Sequence, residues 1–194
     1  MNFSSIDQNV AKHIALNQEE IDFFHGLLQH KKVKRKQMIL QEGDFCKDSF
    51  FVVEGCLRSF SIDKNGFEHI LNFAPPNWWI SDLYSLFSQK PCILNIESIE
   101  NSQIILFSRE NQEKLFAEIP KFERFFRIIA EKSLVSHQQR LLDNLSLTAE
   151  ERYENFCKRY PSLIDGLAQK YIAAYIGVTP EFFSKMRSKI LRNS

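Results

Sequence analysis

The chain has 194 residues, 25 basic against 24 acidic side chains, a formal net charge of +1, and 44% hydrophobic with 25% charged residues. This is the make-up of a globular protein with one large or two small cored domains, and 18 phenylalanines promise thick aromatic packing. No apolar run approaches the ~20 residues that span a bilayer, and the polar opening MNFSSIDQN does not read as a signal peptide, so a soluble cytoplasmic protein without a membrane partner is expected.

In chain order, Asn17 is a capping residue with Glu20 three positions on, and Ile21, Phe24, Leu27 and Leu28 supply the apolar face of a helix that ends near Gln29. The run Lys31-Lys32-Val33-Lys34-Arg35-Lys36 has no interleaved aromatics and reads as a solvated edge leading into the first strand rather than a nucleic-acid patch. From Met38 to Ser108 the texture is β. Short runs at Met38 to Leu40, Phe50 to Val53, Cys56 to Ile62, Phe67 to Phe73, Ile93 to Ser98 and Gln103 to Phe107 are separated by turn signals, with Asp63-Lys64-Asn65-Gly66 as a hairpin turn. Strands of this length and spacing make a sandwich, roll or barrel. Pro75-Pro76-Asn77-Trp78-Trp79 interrupts them and leads to a short helix or turn at Ser81 to Phe87; the paired tryptophans read as core plugs, with a ligand wall as the alternative.

Arg109 to Ala117 is expected as a short helix before Pro120, and Lys121 to about Leu145 as a long one. Phe122, Phe125, Phe126 and Ile129 share one side of its first half, while Leu134, Val135, Leu141, Leu142 and Leu145 lie around the cylinder in the second. Seven-residue spacing from Leu134 to Leu141 and from Val135 to Leu142 suits a short coiled-coil dimer, or a core helix within one chain. Thr148 with Glu151 opens a further helix that buries Tyr153, Phe156 and Tyr160 and stops at Pro161.

The last stretch, Leu167 to Arg192, reads as two helices about a turn. The first, to about Tyr175, buries Leu167, Tyr171, Ile172 and Tyr175; Gly177 ends it; Thr179 caps the second, Pro180 takes its first position, and Phe183, Met186 and Ile190 form its buried stripe. Lys170, Lys185, Arg187, Lys189 and Arg192 face Glu181 alone here, a local basic excess on a near-neutral chain that suits phosphate contact. A helix-turn-helix entering a major groove is the leading reading, and an ordinary hairpin with solvated charges the other. Metal or enzyme chemistry is not expected. Cys46, Cys56, Cys92 and Cys157 lack CxxC spacing, and His13, His25, His30, His69 and His137 form no HxH or HxxxH pair, which also leaves a cupin-like metal site without its ligands.

The matching words Gln41-Glu42-Gly43-Asp44, Val53-Glu54-Gly55, Asn77-Trp78-Trp79-Ile80, Ile119-Pro120-Lys121-Phe122-Glu123-Arg124-Phe125, Ala149-Glu150-Glu151-Arg152-Tyr153 and Lys170-Tyr171-Ile172-Ala173 span almost the whole chain. In this order they resemble the Crp/Fnr family of bacterial transcriptional regulators, most closely the branch common in Bacteroidetes. The resemblance implies an α+β protein: an N-terminal double-stranded β-roll of the cyclic-nucleotide-binding kind with its helices over 1–118, a connecting dimerisation helix over 119–146, and a winged helix-turn-helix over 147–194.

It also implies sites and partners. Pro180, Glu181 and Lys185 fall at the family's base-reading positions, Thr179 and Lys170 nearer phosphates, with Ser184, Arg187 and Lys189 on the same DNA-binding element. Pro180 stands where the best-known members have a base-reading arginine, so their target sequence does not transfer. In the family's effector pocket the phosphate meets a Gly-Glu and an Arg-Ser/Thr pair, which fall here on Ser81-Asp82, followed by Leu83, and on Cys92-Ile93, with His137 and Gln138 where the base is contacted. With the guanidinium missing, the expectation is that cyclic AMP is not bound in the usual way and that no cofactor is needed. Double-stranded DNA, a second copy of the chain, RNA polymerase and an unidentified small-molecule effector are the implied partners. A β-roll protein that binds a small molecule without binding DNA is the alternative.

Overall fold

Aromatic side chains bury the most apolar area per residue, and they organise the first part of the chain. The computed structural model describes residues 2–193. Its chain divides into two units, one formed by the residues up to Ser61 and Phe73–Lys132, the other by Ile62–Asn72 and the residues from Ser133 onward.

Among the described residues eight strands form the β structure: β1 Gln29–Val33, β2 Met38–Leu40, β3 Asp48–Glu54, β4 Leu57–Ile62, β5 Glu68–Ala74, β6 Trp79–Ile80, β7 Asn95–Ser98 and β8 Ser102–Ser108. They make two four-stranded sheets, ordered β1-β8-β3-β6 and β2-β7-β4-β5. Leu40, Phe50, Val52, Leu57, Ile96 and Ile104 fill one core of the first unit. The chain turns at Gly55 because nothing else fits: its φ is +84°, and an added Cβ would lie 2.7 Å from the Asn101 carbonyl oxygen. At the β4–β5 turn Asp63 accepts from the amides of Asn65 and Phe67 at 2.8 and 3.0 Å, the arrangement expected of an Asp-led hairpin.

The basic run is divided: Lys31 to Val33 belong to β1, and Lys34, Arg35 and Lys36 form the turn that leads into β2. Lys31 and Lys32 lie on β1 opposite Ile104 and Gln103 of β8, at the outer edge of the first sheet. Exposed lysines on an edge strand discourage pairing with a foreign chain, which gives the charges a structural use.

Helices α1 Ser4–Ala11, α2 Gln18–Gly26, α3 Leu83–Ser88 and α4 Arg109–Glu118 accompany the sheets. The Asn17/Glu20 capping box of α2 is formed in both directions. Nothing in the sequence reading marked α1, whose N-cap Phe3 makes no side-chain bond, yet Ile6 and Val10 are buried one turn apart. Helix α5, Lys121–Ser146, begins in the first unit, where Phe122 and Phe125 are fully buried among Phe24, Phe51, Phe107 and Leu115. Trp79 joins this second core, with its ring 5.6 Å from Phe126 and its indole N–H donating to Asn9 Oδ1 at 3.3 Å. The tryptophan is a core plug.

The second unit continues with α6 Ala149–Arg159, a 3₁₀ turn at Pro161–Leu163, α7 Gln169–Ile176 and α8 Pro180–Asn193. Phe156, Tyr160, Tyr175 and Phe183 pack edge to face or tilted, Phe156 standing 5.3 Å from Tyr175 and Tyr153 5.2 Å from Phe183. The Thr148/Glu151 capping box of α6 is formed. No strand follows β8 among the described residues, so the wing strands of the expected winged fold are not among them.

Candidate nucleic-acid interface and effector pocket

Helix α7 begins at Gln169, two residues later than its apolar spacing suggested, and buries Ile172, Ala173, Tyr175 and Ile176, while Leu167 and Tyr171 are half-buried. Gly177 ends it with φ 74° and ψ 40°, and the amides of both Gly177 and Val178 return to the Ala173 carbonyl. Only a residue at ease in the left-handed region makes that turn cheaply. Thr179 Oγ1 then accepts from the Phe182 amide at 3.2 Å, and Pro180 takes the first position of α8.

In α8 Phe183 and Met186 are buried and Ile190 half-buried, which fixes the orientation of the rest. Pro180, Glu181, Ser184, Lys185 and Lys189 are exposed, as are Thr179 before the helix and Lys170 on α7. Lys170 Nζ lies 4.9 Å from the Tyr171 ring centre. Arg187 differs. It is half-buried and close enough to Tyr153 for its charge to favour the phenolate, although burial and then Cys157 keep that hydroxyl above its ordinary range. Phe182 stands half exposed on the outer face.

Two arginines the sequence reading left without a role hold the C-terminal end of α7. Arg140 Nη2 donates to the carbonyls of Tyr175, at 2.9 Å, and of Ile70, with its guanidinium 3.7 Å over the Tyr175 ring. Arg152 Nε donates to the Ile176 carbonyl at 2.9 Å. Cations at this end oppose the partial negative charge of the unsatisfied carbonyls. Arg140, Arg152, His69, His137 and Asn144 line a cavity of about 310 Å³ in the second unit. His137 is exposed at the surface, yet desolvation by the atoms around it, then Arg159 and Arg140, hold its imidazole below its ordinary value. Gln138 beside it is exposed.

The pocket residues of the first unit are turned to internal use. Ser81 Oγ donates to the Asp48 carbonyl at 3.0 Å and touches Cys46 Sγ at 3.2 Å. Asp82 caps α3: one carboxylate oxygen accepts from Ser85 N at 3.0 Å, the other from Ile93 N at 2.9 Å and Leu94 N at 3.0 Å. Cys92 is buried, its amide donating to Asp44 O at 2.7 Å, whereas the side chains of Leu83 and Ile93 face outward. Burial raises the Cys46 thiol and pushes Cys56 up to about 12. No group of three or more metal-ligating side chains occurs among the described residues. No helix among them is long and apolar enough to cross a membrane.

Residues 30–118 match the family model of the cyclic nucleotide-binding domain. The anaerobic regulatory protein of Haemophilus influenzae is 22% identical over 184 residues, covering 88% of this chain and 70% of its own length. The transcriptional activator protein FnrA of Stutzerimonas stutzeri is 21% identical over 194 residues, covering 93% of this chain and 78% of its own. The structure of FixK2 from Bradyrhizobium japonicum superposes with a TM-score of 0.75 at 21% identity, over 86% of this chain and 85% of that one, and shares its fold. Residues 30–118 are thus similar to cyclic nucleotide-binding domains, and most of the chain is similar to bacterial transcriptional regulators at 21–22% identity.

Proposed function

We propose that the protein is a sequence-specific transcriptional regulator that binds double-stranded DNA as a homodimer, with 1–118 as its effector domain, 119–146 as its dimerisation helix and 147–194 as its DNA-binding domain. The observation that supports this most is the outward face of α8, where Lys185, Ser184, Glu181 and Lys189 stand exposed opposite the buried Phe183 and Met186. Lys185 supplies a donor for guanine, Glu181 an acceptor for the amino group of cytosine, and the exposed Phe182 ring an apolar contact for a thymine methyl. Lys170, Thr179 and Lys189 serve phosphates, and half-buried Arg187 is the weakest member of the set.

Leu134, Val135, Leu141, Leu142 and Leu145 of α5 are all exposed, and a second copy is the partner that a seven-residue apolar spacing suits. Two recognition helices about 34 Å apart then demand a near-palindromic operator. RNA polymerase is the partner through which such a regulator acts. Cyclic AMP is not its signal, because the segment that would hold the phosphate offers Cys92 and Ile93 where a guanidinium is needed.

Gel shifts against genomic fragments near the protein's own gene test the assignment. Lys185→Ala is expected to lower affinity for the preferred fragment about 5- to 150-fold, the equivalent of ~1–3 kcal/mol for a good base contact. Lys189→Ala is expected to weaken all fragments alike and flatten the salt dependence. Retention unaffected by either substitution sinks the reading.

A further inference from the structure

The cavity beside α7 has more donors than its own walls can use. It holds about 310 Å³, and its lining belongs wholly to the second unit: His69 on β5, His137, Arg140 and Asn144 on α5, Arg152 on α6, and the last residues of α7 with Gly177. Main-chain carbonyls take up Arg140 Nη2 and both Nε and Nη1 of Arg152, whose Nη1 donates to Leu147 O at 2.7 Å. Arg140 Nη1 is buried without a hydrogen-bond partner, and among the described residues Arg152 Nη2 has none either. An orphaned donor on a charged group is costly, so it marks a place where an acceptor is missing.

The charges around the cavity do not cancel. Among the described residues no aspartate or glutamate lines it. Asp63 pairs with His69 at 3.0 Å, while Glu68 and Asp143, next to His69 and Asn144 in sequence, are not lining residues. A helix end carries only about half an elementary charge, so the α7 carbonyls offset the two guanidiniums in part. His137 senses the same surroundings: desolvation, then Arg159 and Arg140, disfavour its protonated form.

We propose that this cavity binds a small organic anion, a carboxylate or a phosphate ester, through Arg152 and Arg140 with His137, and that its occupation acts on the turn into α8. The inference rests on the reading of the protein as a DNA-binding regulator and names the chemical class of its effector. The anion brings the acceptors that the guanidiniums lack, and their planar forks match carboxylate and phosphate oxygens. The volume lies at the lower end of the range for small-molecule pockets, which suits a compact ligand.

The same side chains supply the coupling. The guanidiniums that meet the anion also hold the Tyr175 and Ile176 carbonyls, at the end of α7 from which Gly177 and Thr179 lead into α8. An anion that redistributes those bonds favours one arrangement of the turn over another, to the extent that it binds the two with different affinity.

The test titrates the labelled whole chain with succinate, glycerol 3-phosphate or the uncharged succinamide, at fixed pH and at ionic strength held constant with chloride. The Gly177 amide, the Arg152 side-chain N–H and the His137 ring resonances are followed. At least one of the two anions is expected to shift all three along a common saturating curve, and succinamide is not; the anion that saturates at lower concentration identifies the headgroup. Amides of Lys31 and Lys32, exposed cations of the first unit, report general adsorption of anions and are expected not to follow that curve.

Arg152→Gln is expected to weaken the apparent affinity about tenfold or more, the scale of a charge-assisted hydrogen bond. Because Arg152 also holds α7, the exposed His137→Gln keeps the test alive if that variant does not fold, and a smaller weakening is expected there. No saturation with either anion, equal saturation with succinamide, or curves unchanged in whichever variants fold would each overturn the site. Gel shifts keep the two readings apart. Saturation without DNA retention under any condition counts against the regulator and leaves the site standing, whereas retention without saturation does the reverse. Retention that does not change as the anion saturates overturns the effector role.

Discussion

The two halves of α5 carry similar apolar content and meet opposite ends. In the first half Phe122 and Phe125 are fully buried in the first unit's aromatic core; in the second, Leu134 is 69% and Leu145 74% exposed. The difference lies in what faces them. Phe24, Phe107 and Trp79 supply partners within reach of the first half, Phe122 lying 4.7 Å from Phe24 and Phe126 5.6 Å from Trp79. The exposed leucines of the second half find no such partners among the described residues. A single helix thus serves one core that a protomer completes alone and one surface that, on the proposed reading, a second protomer completes.

Substitutions that separate the two halves break or sharpen this contrast. Phe125→Ala is expected to have the largest effect, a loss of about 3–5 kcal/mol in unfolding free energy, because the ring leaves a cavity in a rigid aromatic cluster. Denaturant unfolding with an unchanged slope measures it. A loss below about 1 kcal/mol would mean that the first half is not the anchor it resembles. Leu141→Ala in the second half is expected to leave the protomer's fold intact and to weaken self-association by up to ~1.5–3 kcal/mol, the range for burying a leucine side chain. Sedimentation over a concentration series reads it directly. An oligomeric state indifferent to Leu141 would place the dimer contact elsewhere.

The helix itself was legible in the sequence, and so was the fate of its first half. Four phenylalanine and isoleucine positions at helical spacing left no other face to bury, and Pro120 marked where the helix had to begin. Capping residues were equally readable: the Asn17/Glu20 and Thr148/Glu151 boxes are local, so no tertiary information is needed to see them. What stayed hidden was decided at long range. Strand β1 is polar at Gln29, Lys31 and Lys32 because it lies at a sheet edge, and no short-range pattern distinguishes such an edge from a solvated loop. Nothing in the local pattern singles out Arg140, yet it bonds to carbonyls of residues 70 and 175. Asp82 fell at a pocket position by resemblance, but its three amide partners come from positions three, eleven and twelve residues on, which periodicity does not reveal.

A smaller effect is expected at the junction after α5. Thr148 Oγ1 accepts from Glu151 N at 3.3 Å, and the Glu151 carboxylate returns to Thr148 N at 2.8 Å, which holds the Glu151 carboxyl below its usual range. Thr148→Ala removes one side of the box and is expected to cost about 1 kcal/mol. The loss should appear first as faster amide exchange in the opening turn of α6, with the first unit unchanged. Equal loss of protection in β3 and β8 would show that the cap supports more than its own helix.

The smallest effect separates the halves of α5 by pH. His137 lies in the second half, and desolvation with the nearby Arg159 and Arg140 charges lowers its folded value below the ordinary 6.5. In the window between the lowered value and 6.5 the unfolded chain takes up a proton that the folded protein refuses. The stability tied to this imidazole is therefore full above about pH 6.5 and is lost as the pH falls toward the folded value. His137→Gln is expected to flatten that part of the melting-temperature profile between about pH 7 and pH 5 while leaving the value near pH 8 little changed. His13, which faces Lys132 at the end of the first half, is shifted in the same direction by burial and then by Lys132, so His13→Gln is the matched control. Because Arg140 and Arg159 flank His137 beside the end of α7, acid is expected to loosen α7 before the aromatic core of the first unit, as read by amide exchange. Loss of protection in both at the same pH would show that the second half of α5 unfolds together with the first.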